Sequence, residues 1–204
     1  MKTISCMKID EDLLKSNGGE IKNYNSKDFI FRSGDKPLYY WQIVEGTIKL
    51  NHYNEDGKEF VHNILGENQS FGDACLFVEK TYPMNAYTLT PCTVIKLPKN
   101  KLFSILKENP EISFEMNSCL SHRVYHKMIM MQSIASASPV IRIRGLMDYL
   151  KSFQEDCSAF SFPVKLTRQQ IADFTGLRVE TVIRTLKKME QENSLKFEKR
   201  VIFF

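Results

Sequence analysis

Glu180, Thr181, Arg184 and Lys188 recur at helical spacing within Leu166–Met189, so a helix there would gather them on one face. These residue types suit the edges of base pairs. An Arg side chain donates to guanine O6 and N7 together, and a Glu accepts from cytosine N4, both in the DNA major groove. The surrounding segment supplies elements to hold such a face. Thr167 is an N-cap for a first helix over about Arg168–Thr175. Gly176 falls at the turn, where a left-handed backbone is cheap only for glycine. A second helix runs from about Arg178 to Gln191. Ile171 and Ala172 of the first helix, with Val179, Val182, Ile183 and Leu186 of the second, form the expected inner side. Ala172 is small and lets the helices approach closely.

The same residues admit a plainer account. Glu180 and Arg184 are an i,i+4 pair, worth roughly 0.2–0.5 kcal/mol on any solvated helix. Helix–glycine–helix segments also occur in folds that never meet nucleic acid. The charge distribution favours DNA. Residues 139–204 hold 12 Lys and Arg against 8 Asp and Glu, whereas residues 1–138 hold 16 of each. The whole net charge of +4 therefore sits in the last third, as expected of a module that meets a polyanion.

The 204 residues suit two small domains or one large one, and 43% hydrophobic with 25% charged residues is an ordinary globular composition. The N-terminal stretch MKTISCMKIDEDLLK has no long apolar core, so no signal peptide is expected. Met128–Met131 is far too short to span a membrane, and no membrane partner is expected. Five cysteines (Cys6, Cys75, Cys92, Cys119, Cys157) are widely spaced and include no C-x-x-C. They read as reduced, mostly buried thiols of a cytoplasmic protein. They offer no closely spaced set for an iron–sulfur cluster.

Residues 20–98 read as short strands: Phe29–Phe31, Leu38–Val44, Thr47–Tyr53, Phe60–Leu65, Ala86–Leu89 and Thr93–Leu97. Glycines punctuate them, and Asn54-Glu55-Asp56-Gly57 signals a hairpin. This spacing suggests a closed or doubled antiparallel sheet, with Phe31, Tyr39, Tyr40, Trp41 and Phe60 in its core. Lys99–Glu108 reads as a short helix. A long helix then opens at Pro110 and runs to about Ala137. Leu120, Val124, Met128, Met131 and Ile134 form an apolar seam on it, suited both to its own sheet domain and to a twin helix in a homodimer. Ser136-Ala137-Ser138-Pro139 reads as a hinge. A helix over about Val140–Phe153 precedes the helix-turn-helix. Leu195–Phe204 reads as a two-stranded wing with Lys199-Arg200 at its turn.

This order of parts resembles the CRP/FNR family of bacterial transcription regulators, named for the cyclic-AMP receptor protein and the fumarate–nitrate reductase regulator. The resemblance covers nearly the whole chain. It is carried by Phe31-Arg32-Ser33-Gly34-Asp35 with Tyr40 and Ile43-Val44-Glu45-Gly46-Thr47-Ile48-Lys49. It is carried next by Ser70-Phe71-Gly72-Asp73-Ala74-Cys75-Leu76-Phe77, and most specifically by Leu166–Ala172 with Glu180-Thr181-Val182 and Arg184. It implies an α+β chain. An N-terminal antiparallel β-roll of the cyclic-nucleotide-binding type occupies residues 1–108. A central dimerisation helix and hinge occupy 109–138, and a C-terminal winged helix-turn-helix 139–204.

The resemblance also marks departures. Cyclic-nucleotide binders of the family carry Gly-Glu and later Arg-Ser in the phosphate cassette. Here Gly72-Asp73, followed by Ala74, stand at the first pair. Met84-Asn85 stand at the second, after a one-residue insertion near Tyr82-Pro83. Lys127 and Met128 stand where small hydroxyl residues meet adenine in the cyclic-AMP receptor protein. Without the Arg a buried phosphate charge would be unpaired, at a cost of about several kcal/mol. That argues against cyclic AMP. On the recognition helix Val179 replaces an Arg, Val-Glu-Thr resembles the fumarate–nitrate type, and Ile183 stands where that branch has Ser.

The expected assignments follow. Arg184 reads guanine and Glu180 accepts from cytosine on the other strand, with Arg178, Thr181 and Lys188 on the same side. Arg168, Gln169, Lys187, Lys199 and Arg200 hold phosphates, the first pair with help from a helix N-terminus. The partners expected are double-stranded DNA and a second copy of the chain, with RNA polymerase and an unknown small-molecule effector as further ones. No cofactor and no metal are expected. His122 and His126 are i,i+4 and could approach a metal or haem, but a solvated helix face is the commoner cause. His52 and His62 lie on strands with nothing to mark them out. Cys75 and Cys119 could sense redox state, against the simpler reading of inert thiols. No nucleophile–base–orienter set appears, so no enzyme is expected. Two alternatives remain: an effector-binding module with a vestigial helix-turn-helix, and a small-molecule enzyme on a β-roll scaffold.

Overall fold

The computed structural model describes residues 8–57, 59–151, 158–164, 166–199 and 201–204. Cys6, Cys157, Arg200 and the expected helix end at Phe153 lie outside the described residues. The chain forms two compact units, divided between Leu120 and Ser121.

In the first unit, α1 (Glu11–Ser16) precedes two antiparallel sheets. One joins β1 (Glu20–Tyr24), β8 (Cys92–Pro98), β3 (Tyr39–Glu45) and β6 (Ser70–Phe71) in that order. The other joins β2 (Phe29–Phe31), β7 (Asn85–Thr88), β4 (Ile48–Tyr53) and β5 (Glu59–Leu65). Strands β3 and β8 are covered on both faces, which is why they read as near-continuous apolar runs. Trp41, Ile43, Cys92 and Val94 enter a core between the sheets with Phe31, Ile48, Leu65, Phe71 and Tyr82. Tyr40, Ile95 and Leu97 enter a second core, under α1, α2 (Lys99–Glu108) and the start of α3 (Pro110–Ile134). Buried Gln42 is fully engaged there: its Oε1 accepts from the Ile9 N–H and its Nε2 donates to the Ile9 carbonyl, both at 2.9 Å.

Between β3 and β4 the chain turns at Gly46, where φ is +98° and a Cβ would lie 2.5 Å from the Pro91 carbonyl oxygen. Only glycine fits. The Asn54–Gly57 turn joins β4 and β5 as expected, closed by a Gly57 N–H to Asn54 carbonyl bond of 2.9 Å. Two aromatics depart from expectation: Tyr39 and Phe60 are half-buried, whereas Phe31, Tyr40 and Trp41 are core. Tyr39 shares the face of Trp41 and packs at the edge of the inter-sheet core, whereas Phe60 lies off that core, against His52 and His62.

The second unit contains the rest of α3, α4 (Pro139–Lys151), α5 (Arg168–Thr175) and α6 (Val179–Gln191). A Cβ at Gly145 would lie 2.3 Å from the Ser133 Cβ, so α3 and α4 cross at close range. The break at Ala135–Ser138 is held from α4. Arg142 Nε donates to the Ser136 carbonyl at 2.6 Å, and its Nη1 donates to the Thr175 carbonyl at 3.4 Å. The wing differs from expectation by one strand. Besides β10 (Lys196–Glu198) and β11 (Val201–Phe203) it includes β9 (Pro163–Val164), paired antiparallel to β11. A two-residue strand opening on proline has no periodicity to read, and proline's missing N–H confines it to the sheet edge where it lies.

Lys127 of α3 is half-buried, its ammonium 5.4 Å from the Tyr149 ring centre, and burial holds its pKa down at about 8. Its ordinary value is 10.5. Between those values the unfolded chain binds more protons than the folded one, so this group makes stability rise with pH across about 8–10.5. Below that window its desolvation penalty is present in full. Lys127→Met should therefore raise the urea midpoint at pH 7 and flatten the rise between pH 8 and 10. A lower midpoint at pH 7 would show instead that the ammonium is a net stabiliser.

Candidate nucleic-acid interface and sensor core

The helix-turn-helix is built from its caps. Thr167 Oγ1 accepts from the Gln170 N–H at 3.1 Å, and Gln170 Oε1 accepts from the Thr167 N–H at 2.8 Å. This reciprocal cap fixes where α5 begins. The helix ends at Gly176, with φ +68°, and α6 starts after Arg178 as its N-cap. Ala172 and Ile171 are buried against Val182, Leu186 and Met189, which fixes the rotation of α6 about its own axis.

That rotation leaves Arg178, Glu180, Arg184, Lys187 and Lys188 exposed and Thr181 half-exposed on the outer side. Among the described residues no ion pair joins Glu180 to Arg184; Lys188 instead pairs with Glu192 at 3.7 Å. The plainer account of the pair as a surface salt bridge therefore loses its contact. One assignment is corrected. Ile183 is 42% exposed and belongs to the outer side, while Thr185 takes a buried position beside Leu186. At about 100° per residue, 182, 185, 186 and 189 share the inner side and 183 falls off it.

The phosphate candidates are differently placed. Arg168 lies over the Phe197 ring, 5.0 Å from its centre, which links α5 to the wing. Gln169 Nε2 donates to Asp173 Oδ1 at 2.7 Å, so its side chain is turned along its own helix. Lys199 is exposed at the wing turn with φ +46°.

In the first unit the cassette is closed on itself. Asp73 is buried; Oδ2 accepts from Ser70 Oγ at 2.7 Å and Oδ1 from the Ala74 N–H at 2.9 Å. Ala74 is exposed. At Gly72, with φ +69°, a Cβ would lie 3.0 Å from the Tyr82 ring. That ring stacks on Phe31 with centroids 3.7 Å apart, and Phe71 and Trp41 continue the aromatic set. The Tyr82 hydroxyl and Trp41 Nε1 are both buried and lie near each other in this set. Burial pushes the Tyr82 hydroxyl up, against a smaller opposing influence of Trp41. Met84 packs on the inter-sheet core. Asn85 Oδ1 accepts from the Ser33 N–H at 2.9 Å, and its Nδ2 reaches the Asn51 carbonyl at 3.3 Å. Asn51 in turn donates to Glu59, whose carboxylate also holds Lys49 at 2.6 Å. Lys127 and Met128 of α3 belong to the other unit.

His52 and His62 lie on strands with nothing chemical to mark them out, yet β4 and β5 bring them together, Nδ1 to Nε2 at 2.8 Å. Their placement either side of the Asn54–Gly57 turn was the available signal. His122 and His126 stack with centroids 6.3 Å apart, and burial lowers the His126 pKa, with His122 adding to it. Among the described residues no group of three His, Cys, Asp or Glu is placed to hold a metal. Cys92 and Cys119 are buried and Cys75 is half-buried, its thiol pushed up by burial and by Asp73.

Comparison with known proteins agrees with both units. The cyclic nucleotide-binding domain family matches residues 21–109, and the Crp-like helix-turn-helix domain family residues 143–203, together about three quarters of the chain. The cAMP-activated global transcriptional regulator CRP of Haemophilus influenzae is 26% identical over 176 residues, covering 85% of this chain and 78% of its own. The global nitrogen regulator of a Nostoc species is 27% identical over 188 residues, covering 89% and 83%. The solved structure of the c-di-GMP-responsive regulator CLP of Xanthomonas campestris shares the fold, with a TM-score of 0.73 at 19% identity, covering 96% and 99%. With its β-roll, long helix and winged helix-turn-helix, the chain belongs to the CRP/FNR family of transcription regulators.

Proposed function

We propose that this regulator binds a two-fold symmetric operator as a homodimer and does so without cyclic AMP. The observation that carries the reading is the outer side of α6, where Glu180, Arg184 and Lys187 stand exposed while the opposite side is buried. In that reading Arg184 takes guanine and Glu180 a neighbouring cytosine, while Lys187 and Lys199 take phosphates. The intact cap of α5 speaks against a vestigial module. The protein works in the cytoplasm, carries no cofactor, and has RNA polymerase and an unidentified effector as further partners.

Dimerisation is supported by the α3 seam. Val124, Met128 and Met131 are 59%, 57% and 68% exposed in the single chain, with half-buried Leu120 and Ile134 continuing the line. An apolar stripe of that length is stable in water when a symmetric partner covers it.

The cassette supports independence from cyclic AMP. The H. influenzae relative is named as cAMP-activated. In this chain Met84 offers no charge, Asn85 is engaged, and the Glu59 carboxylate already holds Lys49. Among the described residues, a cyclic phosphate beside Met84 and Asn85 would meet the Glu59 carboxylate and a Lys49 already paired with it, and such a charge is not stably buried.

Binding-site selection from random DNA should yield a palindromic consensus. Arg184→Ala should lose about 1–3 kcal/mol on that site and relax preference at one base pair. Lys187→Ala should weaken all sequences alike and reduce the salt slope by about one. Selected sequences unchanged in Arg184→Ala would remove this residue from the readout. In sedimentation at micromolar concentration the wild type should be a dimer and Val124→Asp/Met131→Asp a monomer; a monomeric wild type overturns the assembly. Millimolar cyclic AMP should leave the melting temperature unmoved, whereas a ligand at 100 times its Kd would add about 2.7 kcal/mol.

A further inference from the structure

The outer side of α6 carries one residue of the wrong chemistry for a solvated helix. Ile183 is 42% exposed, three positions after Glu180 and directly before Arg184. Meanwhile Thr185, a polar residue, is 6% exposed on the inner side. Packing within the unit does not need Ile183, because Val182, Leu186 and Met189 already fill the seam at 0–1% exposure. Helix propensity does not ask for it either, since a β-branched side chain is poorer on an exposed helix than Lys, Glu or Gln. On a wheel of about 100° per residue it stands some 60° round from Glu180, 40° from Lys187 and 100° from Arg184. It therefore flanks the group proposed above to face base pairs.

We infer that Ile183 reads a thymine, by packing on its C5-methyl group within two base pairs of the guanine taken by Arg184. This rests on the DNA-reading face proposed above. Thymine alone among the four bases shows a methyl group in the major groove. Cytosine shows a C5–H there and, next to it, the N4 amino donor. An isoleucine pressed against cytosine gains no methyl contact and strips water from that donor, which the hydrocarbon cannot replace. Discrimination then comes from both sides: apolar area gained on thymine and an unpaired donor on cytosine. No charge is involved, so the preference is insensitive to salt, unlike the phosphate contacts.

The experiment takes the full-length protein and the operator that the wild type selects. Each thymine of one half-site is replaced singly by deoxyuridine, which pairs identically but lacks the methyl group. Wild type should lose about threefold to fivefold at one thymine, the size of one buried methyl group. Ile183→Ser should be indifferent to uracil at that position, while Ile183→Val should keep the penalty. The guanine preference set by Arg184 should persist in both variants. Circular dichroism and the melting temperature check that the exposed substitutions leave the fold intact. Three outcomes decide the matter. If no sequence is enriched, the DNA-reading face fails and this inference with it. If a consensus emerges but no uracil is felt, or if Ile183→Ser feels uracil as the wild type does, the face stands and Ile183 does not read thymine. If the penalty appears and vanishes only in Ile183→Ser, the assignment holds.

Discussion

The distance between α5 and α6 is the constraint on which the placement of the outer side of α6 depends. It is set by two small residues. Ala172 adds a single methyl group where the helices meet, and Gly176 turns the chain with φ +68°. With the helices that close, Val182, Leu186 and Met189 can be buried only on one side of α6. Rotation about the helix axis is then no longer free, and the outer residues are determined by what the inner ones must do. Arg142 ties the same corner to the hinge, since it donates both to Ser136 and to the Thr175 carbonyl at the end of α5. A carbonyl at a helix end needs a donor, and a cation there also meets the negative end of the helix dipole.

The β-roll is governed by a different condition. Its central strands β3 and β8 contribute side chains from both faces, to one core between the sheets and to another under the helices. Gln42, polar and buried on β3, is tolerated because both ends of its amide are paired with Ile9. Between the sheets the space is filled by aromatic rings stacked on Phe31. Two polar atoms, Trp41 Nε1 and the Tyr82 hydroxyl, lie buried inside that set. The roll therefore holds a largely apolar interior with an indole N–H and a phenol hydroxyl inside it.

Much of this was legible in the residues. Thr167, Gly176 and the long apolar steps after them place α5 and α6 to within a residue, because caps and turns are local chemistry. Glu108 and Pro110 likewise bound α2 and α3. What was not legible depends on partners distant in sequence. β9 exists only because β11 offers it an edge. Asp73 turns inward because Ser70 and the Ala74 amide lie ready to donate to it. Ile183 was assigned to the inner side because apolarity is the usual sign of burial. That sign fails for a residue whose seam is already full, and such exceptions are informative about what a surface meets.

The outer residues also differ in how freely they can change partners, and this orders their roles in the proposed complex. Arg168 lies on the ring of Phe197, a contact that positions the guanidinium without neutralising it, so its charge remains available to a phosphate. Lys188 and Glu192 are joined at 3.7 Å with side chains 63% and 49% exposed, and a pair so solvated is worth about 0–1 kcal/mol. A phosphate could displace it at little cost. Gln169 is held to buried Asp173, and moving it would unsettle a carboxylate inside the fold. Its backbone N–H, in the first turn of α5 and without an intrahelical acceptor, is the better phosphate donor. In the proposed complex, base reading then falls to Glu180 and Arg184, exposed side chains with no ion pair between them among the described residues, whose charges stay hydrated until a groove replaces the water.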